Sequence, residues 1–273
     1  MIDTHVHFWK FDPVRDSWIT PEMEAIRHDF FPNDFVKASE STQITSCIAV
    51  QADQSADENH FLLSLAKENP VIKGIVGWVD LLDPTLEEQL SYWQDFKLIK
   101  GWRHILQAEN EQFILNPALA KGIQTLGKYN YTYDLLCGHT QLSVILKLVE
   151  QLPNQPLVLD HCGKPDAKTG NLKQWNEHIQ ELAQNKDVYC KVSGLFTEAD
   201  WFNWKETDIF NCFDVVFKHF GIDRIMYGSD WPVVLLSRPY GDWFSLVQKY
   251  CSQFSEAERQ MIFYDNASAF YKL

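Results

Sequence analysis

The sequence has no basic run. Its 24 Lys and Arg stand against 37 Asp and Glu, for a formal charge of −13. That balance excludes the usual electrostatic footprint of nucleic-acid or anionic-membrane binding. No stretch reaches the ~18 consecutive apolar residues of a membrane span. With Asp3 already at the third position, the N-terminus lacks the apolar core of a secretory signal. The cysteines Cys47, Cys137, Cys162, Cys190, Cys212 and Cys251 form no C-x-x-C pair and no regular spacing, so a zinc ribbon or redox motif is excluded. They read as reduced, buried thiols of a cytoplasmic protein. No G-x-G-x-x-G follows an apolar run, which removes the phosphate cradle of a doubly wound dinucleotide fold. No repeat, linker or low-complexity tract divides the chain, so 1–273 is read as one domain.

What is present is ordinary globular composition, 45% hydrophobic and 22% charged. Short β-rich runs alternate with amphipathic stretches. Strands are expected at Ile2–His7, Ser46–Ala52, Val71–Leu81, Leu98–Leu106, Tyr131–Leu136, Leu157–His161, Val188–Gly194 and Arg224–Asp230. Helices are expected at Asp57–Asn69, which stops at Pro70, at Asp83–Trp93, with Pro84 near its start, and at Thr140–Pro153. Strands alternating with helices over this length predict an α/β fold, a single (β/α)8 TIM barrel. The Pro- and aromatic-rich stretch after the first strand reads as a functional loop over the barrel mouth.

In such a barrel the chemistry collects at the C-terminal ends of the strands. Residues i and i+2 of a strand share a face, so "DTHVH" presents His5 and His7 side by side, with Asp3 deeper on the same face. Paired imidazoles suit a metal site or acid–base work. The other expected strand ends offer Arg103 and His104, then His161, then Asp230, with His139 three residues beyond the fifth strand. Five of nine histidines thus gather at one face of the expected barrel, whereas core histidines would scatter.

Three segments, "DTHVHFW", "LVLDHCGKP" and "YGSDWPV", resemble the amidohydrolase-related branch of the amidohydrolase superfamily. That branch contains the sugar-lactone hydrolases and 2-pyrone-4,6-dicarboxylate lactonase. "GWRHILQ", "CKVSGLFTEADW" and "NASAFY" resemble the same group, nearest the L-fuconolactonase and L-rhamnonolactonase type, and the ordered set spans residues 2 to 271. The resemblance implies a barrel hydrolase with His5, His7, His161 and Asp230 as its catalytic group. It implies one divalent ion, zinc first, on His5, His7 and Asp230 with His161 positioned to join; a metal-free route is the alternative. The metal-bridging lysine or glutamate of the fourth strand is replaced by Arg103 and His104, which argues against a second ion.

Opening a lactone requires an activated water and stabilisation of an oxyanion. Asp230 is expected as general base, its pKa raised by the frame of Trp231 and Pro232. Arg103 or His104 is expected to grip substrate oxygens, Trp9, Trp78 and Trp231 to stack on the ring, and Lys164 and Ser193 to meet hydroxyls. Asp160 is expected to face away from the site. Three other readings remain open: a zinc-dependent decarboxylase of the same superfamily, a TatD-like deoxyribonuclease, and a sugar-acid binding protein without catalysis. The partner expected is a small lactone or sugar acid; oligomeric state is not legible.

Overall fold

The computed structural model describes residues 1–273. Eight parallel strands pair in sequence order: β1 (Ile2–Val6), β2 (Ser46–Val50), β3 (Ile72–Gly77), β4 (Ile99–His104), β5 (Thr132–Leu135), β6 (Leu157–Leu159), β7 (Val188–Val192) and β8 (Ile225–Tyr227). Each lies within its expected bounds, and β6 and β8 stop before the histidine and aspartate assigned to their ends. The seam between β1 and β8 closes at the strand C-termini, where His7 N–H donates to Trp231 O at 2.7 Å and Asp230 N–H to His5 O at 2.9 Å. The barrel therefore closes at the level where its histidines stand.

The expected helices are present with shifted starts. Ala56–Glu68 is capped by Ser55 Oγ, which accepts from Glu58 N–H. The next begins at Leu86 rather than Asp83, because Asp83 Oδ1 accepts from both Thr85 N–H and Thr85 Oγ–H in a turn ahead of it. A 3₁₀ turn, His139–Gln141, precedes the helix Leu142–Val149. The outer layer also contains Pro117–Lys128, Lys173–Leu182, Glu206–Phe220 and Tyr240–Cys251. No helix is long and apolar enough to cross a membrane.

The barrel interior has two parts. Ile2, Ile48, Val50, Val76, Val158 and Met226 pack around Ala267, Phe270 and Tyr271 of the C-terminal helix Asn266–Tyr271, which plugs one end. Each such side chain contributes about 1.5–3 kcal/mol of burial. Towards the strand C-termini the filling changes to Arg103, Asp134, Asp160 and Lys191, all buried.

Candidate active site

β1 does not keep the simple alternation expected of it. Its pairing with β2 shifts register between Asp3 and Val6, so Ile2 joins the interior apolar cluster and yet His5, three residues on, also points inward. Asp3 is left on the other side, where its carboxylate accepts from His5 N–H at 3.1 Å, Ser229 N–H at 2.9 Å and the hydroxyl of Tyr240 on an outer helix at 3.0 Å. It ties β1 to the loop that carries Asp230. Burial raises its pKa to about 6.

The tautomer of one histidine follows from its partner. His7 Nδ1 lies 2.8 Å from Val50 O, which only accepts, so the proton is on Nδ1 and the lone pair on Nε2. His5 stands between two donors, Arg103 Nη1 at 3.1 Å from Nε2 and Lys191 Nζ at 3.2 Å from Nδ1, with Asp160 Oδ1 3.3 Å from Nδ1. His161 is held through Nδ1 by Ser193 Oγ at 2.9 Å. All three Nε2 atoms converge on Asp230 Oδ1, at 3.8 Å from His5, 3.3 Å from His7 and 3.9 Å from His161.

His161 and Asp230 arrive there through left-handed backbone. Strand alternation takes Val158 and Asp160 inward; His161 then leaves the strand with φ 52°, followed by Cys162 at 54°, Gly163 at 69° and Lys164 at 50°. A left-handed conformation costs about 1–2 kcal/mol per non-glycine residue, and consecutive ones are rare. The turn is held by its surroundings: Trp175 Nε1–H donates to Cys162 O at 2.8 Å and His139 Nδ1–H to Lys164 O at 2.8 Å. Gly194 leaves room for the ring, since a Cβ there would sit 2.7 Å from His161 Nδ1. Asp230 has φ 61° and is fixed at its amide by His5 O. Strain of this kind collects at functional sites.

The carboxylate is held ionised, and burial works against charge on His5 and His161. Burial alone would raise Asp230, but His161, His7 and His5 outweigh it and hold the group well below the usual carboxylate range. The expected rise from Trp231 and Pro232 is thus overturned by the three imidazoles. Burial pushes His161 down to about 4 and His5 well below its ordinary value. Asp160 is likewise held low, because Lys191, His5 and Arg103 overcome its burial.

A ligand set follows from this donor chemistry. One nitrogen of His5, one of His161 and one Asp230 oxygen lie within 4.8 Å of one another, all buried. His7 Nε2 and Asp230 Oδ1 face each other at 3.3 Å, each able to give a lone pair to a cation beside them. Outer partners orient the rings as metal ligands are usually oriented: Asp160 for His5, Val50 O for His7, Ser193 for His161. The residues fit one divalent ion. Arg103 stands where a second would need an anionic bridge.

Above this group is a cavity of about 310 Å³, lined by His7, His161 and Asp230, by Trp9 and Trp18 of the long loop after β1, and by Gln107. Arg103 and Lys164 complete its polar wall. Four expected substrate contacts lie elsewhere. His104 faces outward, stacked on Phe113 and paired with Glu109 at 3.0 Å. Trp78 is not part of the lining; its indole meets His104 and its amide Asn59. Trp231 is buried among Phe8, Phe30 and Phe35, zipping the barrel seam instead of touching a ligand. Ser193 is fully buried behind His161. Arg103 does face inward, but its fork is spent: Nη1 on Asp160 and His5, Nη2 on Gln51 O and Oε1. Asp160, expected to face away, is in the interior. Cys162 is buried, as expected, and burial pushes its thiol well up, so it stays protonated beside His161. Sequence reasoning missed Lys191, Asp134, Gln51 and Trp18. A Lys in "VYCKV" and an Asp in "YTYDLL" were the available signal, because a charge inside an apolar barrel strand must be paired.

The family profile described as Amidohydrolase matches residues 2–273. A curated relative from Burkholderia multivorans named L-fucono-1,5-lactonase is 36% identical over 284 residues, covering 100% of this chain and 96% of the relative. Another of that name, from Burkholderia ambifaria, is 28% identical over 280 residues, covering 100% and 95%. Among solved structures, an amidohydrolase from Burkholderia multivorans with bound zinc is similar at a TM-score of 0.96 and 36% identity, covering 100% of this chain and 99% of that one.

Proposed function

We propose a reaction from the premise that this chain belongs to the amidohydrolase family: it hydrolyses a small, neutral, carbohydrate-derived lactone to the hydroxy acid. The observation that carries the reading is the convergence of three Nε2 atoms on one ionised carboxylate beneath a cavity with room for a sugar lactone. Relatives named L-fucono-1,5-lactonase, matched over the whole chain, support it.

Neutrality of the substrate is argued from the wall. The cavity's two cations are committed, Arg103 to Asp160 and Gln51, and Lys164 to Glu198 at 3.0 Å. A lactone bearing ring carboxylates would find both side-chain cations of the wall already paired. A polyhydroxylated ring finds Gln107 and the faces of Trp9 and Trp18.

Asp230 is the base in this scheme. It accepts a proton as the water oxygen bonds to the lactone carbonyl carbon, and the carbonyl oxygen takes the negative charge. When the tetrahedral centre collapses, the bond to the ring oxygen breaks and Asp230 returns its proton to that alkoxide. A carboxylate held below its usual range is a weak base in the first step but, once protonated, a strong acid in the second. His5, His161 and Asp230, with His7 beside them, would hold one divalent ion, zinc by the nitrogen-rich donor set. Bound there, it would polarise the carbonyl and acidify the water. The zinc in the similar Burkholderia multivorans structure supports this assignment.

The test is a pH-indicator assay over a panel of aldonolactones and one carboxylated pyrone lactone, with and without chelator. Turnover is expected for neutral aldonolactones. No turnover of any lactone by metal-loaded protein would overturn the reading.

A further inference from the structure

We infer that Gln107 is a specificity-determining residue of the proposed lactonase site, its amide reading two neighbouring hydroxyls of the sugar-derived ring. The inference deepens the proposed reaction and rests on it for its kinetic readout.

Most polar groups of the cavity wall are spent on the protein itself. Trp9 Nε1–H donates to His28 O at 2.8 Å, and Lys164 is paired with Glu198. Both Nη atoms of Arg103 are bonded, and what remains of its fork only donates. His7 and His161 each have one ring nitrogen committed, to Val50 O and to Ser193 Oγ, so neither offers a donor and an acceptor together. Asp230 only accepts and Trp18 only donates. Gln107 is the one lining side chain whose donor and acceptor are both unspent. An amide presents N–H and C=O side by side, which matches two adjacent hydroxyls, one accepting from it and the other donating to it. A carboxylate could meet only the N–H half.

The backbone that carries Gln107 is pinned, although its side chain is exposed. It lies in the 3₁₀ turn Leu106–Ala108, directly after β4. Ile105 N–H donates to Gln54 Oε1 at 2.7 Å, from the loop after β2, and Gln107 N–H to Leu136 O at 3.0 Å, just past β5. Gln141 spends its whole amide here. Its Nε2 donates to Leu106 O at 2.9 Å and Glu109 O at 3.0 Å, while its Oε1 accepts from Gly138 N–H at 3.0 Å. Segments after β2 and β5 thus fix the turn, and presenting Gln107 to a ligand costs the ordering of its side chain alone. The faces of Trp9 and Trp18 can cover a ring without reading which hydroxyls it bears. The amide supplies that reading.

The plain alternative is a solvated rim glutamine with no share in recognition. The two separate in a cycle that crosses Gln107→Leu with removal of single ring hydroxyls from the best aldonolactone. Each mono-deoxy lactone is assayed with zinc-loaded wild type and variant. On the parent lactone Gln107→Leu should lower kcat/KM by about 3–10-fold, the worth of one or two exposed neutral hydrogen bonds, almost wholly through KM. On lactones lacking either of two adjacent hydroxyls it should cost distinctly less, because part of the loss has already been taken. On lactones lacking any other hydroxyl it should cost as much as on the parent.

A cost that is equal for every lactone of the panel, or no cost at all, would overturn the inference and leave a rim residue. Wild-type protein that turns over no lactone would defeat the proposed reaction instead. The panel is then titrated calorimetrically into both proteins, where the same hydroxyl-dependent pattern in Kd is expected and a flat one overturns the inference.

Discussion

Around the C-terminal helix, the barrel interior is filled by Ile48, Val76, Val158 and Met226. Two residues on from Val158 stands Asp160, and at the same level stand Arg103, Asp134 and Lys191. The apolar part is stabilised in proportion to area removed from water and has no preferred direction. The charged part gains little net stability, because its attraction is spent against desolvation, but each of its contacts has a direction. The difference teaches where this barrel stores stability and where it stores orientation. A change in one part should leave the property held by the other almost untouched.

The largest expected effect is at the mouth. Asp230→Asn keeps the shape and removes the base, so lactone hydrolysis should fall by about 10²–10⁴-fold, while the melting temperature falls modestly because a carboxylate held below its usual range stabilises the fold when ionised. Steady-state kinetics and a thermal melt on the same preparation check it. A variant hydrolysing its best lactone at the wild-type rate would take the base out of the scheme. Met226→Ala should do the reverse: it removes a buried side chain from the apolar part and should cost about 2–5 kcal/mol of stability. Its kcat should fall by far less than that of Asp230→Asn, because Met226 meets the charged part only through its register neighbour Lys191. Urea titration and kinetics together decide whether the two parts are separable.

The comparison sharpens with pH. His161 titrates at about 4 in the fold and near 6.5 when unfolded. Between those values the unfolded chain binds a proton that the folded chain refuses, so stability rises with pH across the window and is lost on acidification. The drop corresponds to about 3 kcal/mol by pH 4. Asp3 and Asp134, both raised to about 6 by burial, work in the opposite sense over roughly the same range. The difference between wild type and His161→Asn, measured in chelator, isolates the histidine. Wild type should lose about 3 kcal/mol against the variant from pH 6.5 to pH 4, while Met226→Ala runs parallel to wild type throughout. Equal slopes for wild type and His161→Asn would show that the ring is not neutral in the fold.

How legible all this was depends on which rule governs each residue. The eight strands were readable because β-rich runs bounded by helical patterns are a local property, and His5, His161 and Asp230 were readable from strand-end position and resemblance. The orientations that failed share a cause. Asp3 was placed with His5 by strict alternation, and a register shift in β1 separates them. Asp160 was placed opposite His161 by the same rule. Alternation in fact sends Asp160 inward, and a left-handed turn brings His161 back beside it. Trp231 looked like a stacking residue because it follows Asp230, whereas its backbone closes the seam and its ring joins an aromatic cluster. Lys191 and Asp134 needed the barrel to be closed before their pairing could be seen.

The smallest expected effect lies at the rim and concerns which lactone enters. Lys164 and Glu198 are each about a quarter exposed, at 22% and 24%, and their pair at 3.0 Å is worth at most ~1 kcal/mol. Glu198→Gln removes the carboxylate that occupies Lys164 without touching the histidines or Asp230. The freed ammonium then faces the cavity as its one uncommitted cation, since Arg103 stays on Asp160 and Gln51. Discrimination between a neutral aldonolactone and one bearing a carboxylate should shift towards the charged lactone by up to about fivefold in kcat/KM, the equivalent of ~1 kcal/mol. The shift should shrink with added salt, because a partly exposed charge is screened over about 8–10 Å at ordinary ionic strength. An unchanged ratio at low salt would mean that Lys164 does not reach the bound ring, and that the preference for neutral lactones is set deeper, by the committed fork of Arg103.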